Sequence, residues 1–161
     1  MKAASVKEIR QDLSHRSSKE LIEICLKLSK FKKENKELLT YLLYEADNEQ
    51  EYIQKVNQEV SEHFAAINTR SFYVIKKAIR KILRLCKKYI RYSKKKPTEV
   101  EILLHFSEEL LKFRPSIKRN TQLVNLYQRQ IASIKKTIAT LHEDLQHDYA
   151  IELEEILKTH R

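Results

Sequence analysis

Between Glu62 and Glu99 the chain carries twelve cations, namely Arg70, Lys76, Lys77, Arg80, Lys81, Arg84, Lys87, Lys88, Arg91, Lys94, Lys95 and Lys96, and no carboxylate. The whole chain holds 32 Lys and Arg against 22 Asp and Glu; setting the twelve aside leaves 20 against 22, a net −2, so the overall +10 originates in this one stretch. Charge of one sign concentrated in this way suits the recognition of polyanions, whose phosphates it neutralises with release of their counterions. At about 100° per residue, Ile75, Ile79, Ile82 and Cys86 share one side of a helix, and the cations fill the opposite arc with Tyr73 among them. Like charges four residues apart, such as Lys76 with Arg80 and Arg84 with Lys88, destabilise an isolated helix by about 0.2–0.5 kcal/mol each. Something should offset that repulsion.

The first expectation is a nucleic acid or other polyanion lying along the row, with Tyr73 and Tyr92 available for stacking. Its contact set is Tyr73, Lys76, Lys77, Arg80, Lys81, Arg84, Lys87, Lys88, Arg91, Lys94 and Lys95. The alternative is internal neutralisation by acidic helices bearing Glu45, Asp47, Glu49 and Glu51, or Glu143, Asp144, Asp148, Glu152, Glu154 and Glu155. That arrangement leaves a structural scaffold or protein-interaction module. An acidic protein partner would suit the same face. An anionic membrane surface suits it least, because the apolar side is needed for the core. No helix-turn-helix glycine turn, zinc finger or RNA-binding aromatic motif is present, so readout of base sequence is not expected.

Histidines stand beside carboxylates at helical spacing in three places: Glu59 with His63, Glu101 with His105 and Glu108, and Glu143 with His147. Each could offer two or three ligands on one face, but the Glu-x-x-His pattern of di-iron bundles is not among them. A metal-dependent bundle enzyme, with His105 as a base oriented by Glu101 and Glu108, is therefore a remote alternative. The chain has no glycine. Phosphate-binding loops, dinucleotide fingerprints and nucleophile elbows all need one, which removes most familiar enzyme signatures. No catalytic residue, cofactor or metal is expected.

The elements that position these residues are helices. Ser5-Val6-Lys7-Glu8 and Ser17-Ser18-Lys19-Glu20 are capping boxes, the second leading into Leu21, Ile24, Cys25, Leu28 and Phe31 along one face. Asn35 is placed to cap a third helix, and the Asp47-Asn48 pair precedes a fourth carrying Tyr52, Ile53, Val56, Val60, Phe64 and Ile67. The basic helix follows Ser71, and Pro97 ends it. Thr98 with Glu101 reads as a further capping box for a sixth helix that stops near Pro115. Beyond it, Ile117, Val124, Ile131, Ile138 and Leu145 fall seven apart, with Tyr127, Ile134 and Leu141 three residues after the middle members. This predicts one helix about 45 Å long that pairs with a neighbour or with a second copy in a homodimer. The fold class is thus all-α: an irregular bundle of about seven helices in a single domain spanning 1–161, with two long helices at about 71–95 and 116–145.

The paired short helices before residue 46 resemble HEAT-type pairs, but unequal helix lengths favour a bundle over a solenoid. Cys25 and Cys86 each lie among aliphatic residues with no partner cysteine near, and both read as buried thiols. With 34% charged residues and no long apolar run, no membrane span is expected, and the absence of an apolar leader at the N-terminus points to a cytoplasmic protein.

Overall fold

The computed structural model describes residues 1–159, Thr159 by its backbone alone. Among the described residues there are eight α-helices and no strand. Their packing divides the chain into two compact units, Met1–Tyr44 and Glu45–Arg161, where length alone favours one domain over 1–161.

In the first unit, α1 (Val6–Ser14) and α2 (Ser18–Phe31) begin at the two capping boxes. The backbone N–H of Ser5 donates to Glu8 Oε2 at 2.7 Å, and that of Ser17 to Glu20 Oε2 at 2.8 Å. α3 (Lys33–Thr40) starts after Lys32 and runs into a π turn at Tyr41–Glu45. Asn35 does not cap it: its Nδ2 donates to Leu28 O at 2.8 Å, which ties α3 to the last turn of α2. Apolar spacing here does not become a core. Of the unit's large apolar side chains only Tyr41 is buried, whereas Ile22, Leu26, Leu28, Phe31, Leu42, Leu43 and Tyr44 stay exposed, Phe31 at 76%. Cys25 shares that exposed surface, so the expectation of two buried thiols holds for Cys86 alone. Burial pushes the Cys86 thiol up to about 12.

The second unit is built around α6 (Lys96–Lys112), which packs against α4 (Glu49–Ala65), α5 (Phe72–Ser93), α7 (Thr121–Ile138) and α8 (Glu143–Thr159). Neighbours on several sides explain why Val100, Ile102, Leu103, Leu104, Phe106 and Leu110 are all buried, a distribution wider than one amphipathic stripe. Pro97 sits in the first turn of α6, where its missing N–H costs no helix bond. Thr98 is not the cap: its hydroxyl donates to Glu49 Oε1 at 2.6 Å on α4. α5 ends at Lys94, whose φ of 58° is left-handed, the position glycine usually fills at a helix C-terminus and which a glycine-free chain must give to another residue.

The expected helix over 116–145 is divided. A cis Arg114–Pro115 bond leads to a 3-10 turn at Ile117–Arg119, and α7 starts where Asn120 Oδ1 accepts from the Leu123 N–H at 3.2 Å. α7 stops at Ile138, where Thr140 Oγ1 donates to the carbonyl of Thr137 at 2.7 Å, and in the turn that follows Gln146 Nε2 donates to Leu141 O at 2.7 Å and Ala139 O at 3.3 Å. The heptad face finds its neighbour within the chain, since Ile131, Ile134 and Ile138 are buried and α7 packs most extensively on α6.

Candidate polyanion-binding face

α5 places its cations as the periodicity dictates. Ile75, Ile79, Ile82, Leu83 and Cys86 are buried against the unit, and Tyr73, Lys77, Arg80, Lys81, Arg84, Lys87, Arg91, Lys94 and Lys95 are exposed. Lys76 and Lys88 are half-buried. Arg80, Arg84, Lys87 and Arg91 follow one another at steps of four, three and four residues, so they form a row about 16 Å long on one face.

None of Lys77, Arg80, Lys81, Arg84, Lys87 and Arg91 has a carboxylate within 4.0 Å among the described residues. The acids of α4 and of the π turn before it take other partners. Glu45 and Glu51 both pair with Lys55 at 3.0 Å, and Glu59 accepts from the Tyr89 hydroxyl at 2.8 Å. Glu49 meets the basic stretch at its end. It accepts from Ser93, from Thr98 and, at 3.0 Å, from Lys95 Nζ. Lys95, an expected polyanion contact, is therefore paired with a carboxylate of the same unit.

Two further details depart from the sequence reading. Tyr92 is half-buried, its ring 6.0 Å from that of Tyr89, so of the two aromatics expected to stack on bases only Tyr73, 74% exposed, stands clear. Lys88 Nζ lies 5.1 Å from the centre of the Tyr89 ring, a cation–π distance. In addition, Gln122 in the first turn of α7 accepts from Lys76 Nζ at 3.1 Å and from Arg80 Nη2 at 3.2 Å. Nothing in the sequence marks Gln122; only the fold brings it beside α5.

Of the histidine–carboxylate groups, the members of the Glu101, His105 and Glu108 set each take other partners. His105 Nε2 lies 2.8 Å from Ser61 Oγ, Glu101 Oε1 accepts from the Tyr149 hydroxyl at 2.7 Å, and Glu108 pairs with Lys112 at 2.7 Å. His63 approaches Glu59 at 3.6 Å. Among the described residues no three His, Cys, Asp or Glu side chains are grouped to hold a metal.

α6 and α8 share an acidic corner. Partial burial, and then the charges of Glu101, Glu108 and Glu155, hold the Glu152 carboxyl above its ordinary value of 4.5. Such a group binds its proton more tightly in the folded state, so stability falls as pH rises through the window above 4.5. Glu152→Gln is accordingly expected to raise Tm at pH 7 and to lose that advantage near pH 4, where the wild-type carboxyl is itself protonated. Melting curves at the two pH values check this, and an equal gain at both would contradict it.

Fold and site together define an all-helical protein with one helix cationic on its outer face. Compared with family models, with curated proteins and with solved structures, the chain matches none. Nor is any helix among the described residues long and apolar enough to cross a membrane.

Proposed function

We propose that the Glu45–Arg161 unit binds nucleic acid or a similar polyanion through the outer face of α5, without readout of base sequence and without catalysis, as a cytoplasmic binding protein. The observation that carries this reading is the row Arg80, Arg84, Lys87 and Arg91, exposed and with no carboxylate partner among the described residues. Holding like charges along one helix face costs stability that a polyanion would return on binding. The test is the affinity for a fluorescein-labelled oligothymidylate between about 50 and 400 mM salt. Four to six phosphate contacts predict a log K against log salt slope of about −3 to −4 for a single strand. A slope near zero, or no binding at the low-salt end, overturns the proposal.

The exposed apolar surface of the Met1–Tyr44 unit favours a second reading, as an interaction module. A unit this small, with no disulfide and little core, ordinarily completes itself by association. We infer that its occupant is a second copy of the chain, since two α2–α3 pairs supply four amphipathic helices around one shared core. Light scattering should then report a dimer at micromolar concentration, and a monomer for the Leu26→Glu, Leu43→Glu double variant. A monomeric wild-type chain over that range would eliminate this reading.

A further inference from the structure

Lys76 and Arg80 lie one turn apart on α5, and both reach the same atom. Lys76 Nζ donates to Gln122 Oε1 at 3.1 Å, and Arg80 Nη2 donates to that oxygen at 3.2 Å. Two positive groups are thus held within the span of a single acceptor, and the acceptor is neutral. A charge-assisted bond is strongest when both partners are ionised, and an amide oxygen satisfies only one side of that condition. Bringing the two cations together raises their mutual repulsion, which an amide dipole offsets far less than an anion would.

A phosphate group fits this arrangement better than the amide does. It carries several strong acceptor oxygens, so each cation gains an oxygen of its own. Gln122 need not leave, because its side chain carries donors as well as an acceptor. Turned about its last torsion, the amide points its NH₂ at the anion and adds a third donor. The three side chains come from two helices, α5 and α7, so the juxtaposition exists only in the folded unit.

We propose that Lys76, Arg80 and Gln122 form a phosphate seat at the junction of α5 and α7, which anchors one phosphate of the polyanion while Arg84, Lys87 and Arg91 follow the rest. This rests on the polyanion reading and adds to it a fixed point of attachment, where the row alone would let a strand slide.

The test compares three single variants by oligothymidylate anisotropy at low salt. Gln122→Glu supplies a carboxylate that claims both cations permanently, and is expected to weaken binding about tenfold. Gln122→Ala removes the third donor but leaves both cations free for the phosphate, and should weaken binding about threefold, less than the glutamate does. Gln128→Glu, an exposed position further along α7, introduces the same charge away from the seat and should cost about twofold or less. Equal losses in the two glutamate variants would overturn the seat and leave the row standing. A wild-type chain that does not bind at all would remove both.

A second measurement identifies the ligand's source. The Gln122 side-chain NH₂ resonance is followed in ¹⁵N spectra while either inorganic phosphate or oligothymidylate is added. A shift with both assigns the seat to phosphate in general, and a shift with the oligonucleotide alone assigns it to the phosphodiester. No shift with either would overturn the proposal.

Discussion

Replacing Arg84, Lys87 and Arg91 together by glutamate is expected to weaken oligothymidylate binding by about a hundredfold or more at about 50 mM salt. Every phosphate that the protein no longer neutralises takes about 0.7 off the slope of log K against log salt, so the triple variant should show a slope smaller by about 2. Loss of fold cannot account for this outcome, because stability should move the other way. An acid at position 84 faces Arg80, Lys81 and Lys88, and one at position 91 faces Lys88, so although 84 with 87 and 87 with 91 remain like-charge spacings, most repulsive spacings along α5 are exchanged for attractive ones of about 0.2–0.5 kcal/mol. The buried side of α5, with Ile75, Ile79, Ile82 and Cys86, is untouched. A variant that melts no lower than wild type but no longer binds would separate the face from the scaffold. The control is Lys7→Glu with Lys19→Glu and Lys27→Glu, three exposed positions in the other unit that change net charge equally. If that control loses as much affinity as the α5 triple, binding follows net charge and the row has no special part.

How far the sequence could be read depended on whether a feature was local. The capping boxes at Ser5 and Ser17 satisfy N–H groups three residues away, and both formed. The register of α5 follows from its own periodicity, which placed Ile75, Ile79, Ile82 and Cys86 inside and Arg80, Arg84, Lys87 and Arg91 outside. Thr98 carried the same local signal as the two serines, yet Glu49 on α4 competes for its hydroxyl. The heptads over 117–145 picked out Ile131, Ile134 and Ile138, which are buried, but a period does not reveal where a helix stops. The break comes after Ile138, where Thr140 bonds the Thr137 carbonyl and the amide of Gln146 holds the carbonyls of Ala139 and Leu141 in the turn that follows. Cys25 illustrates the same limit, because an apolar face reads identically whether or not a neighbour covers it. Gln122 was invisible for a further reason: a neutral residue gives no charge signal, and its importance comes from two cations forty-odd positions away.

Truncating Phe106 to alanine is expected to destabilise the Glu45–Arg161 unit by about 3–5 kcal/mol, a large share of the 5–15 kcal/mol that holds a typical domain. Phe106 is fully buried on α6, its ring 5.5 Å from that of Phe64 on α4. Because α6 is the helix on which α4, α5, α7 and α8 pack, a void there leaves several helices without a packing partner, and the surrounding helices cannot close it by moving one neighbour. For a chain of this size the destabilisation corresponds to a fall in Tm of about 10 °C, which a thermal melt resolves easily. Phe113→Ala, just beyond the end of α6 and half-buried 6.2 Å from Phe64, should cost markedly less. The binding row is on the side of α5 turned away from this core, and its geometry needs only that α5 remain folded. Well below its own melting transition, the Phe106→Ala variant should therefore bind oligothymidylate as wild type does. Weakened affinity in a sample that is still fully folded would show that the cationic face depends on core packing, and that the row is not set by the periodicity of α5 alone.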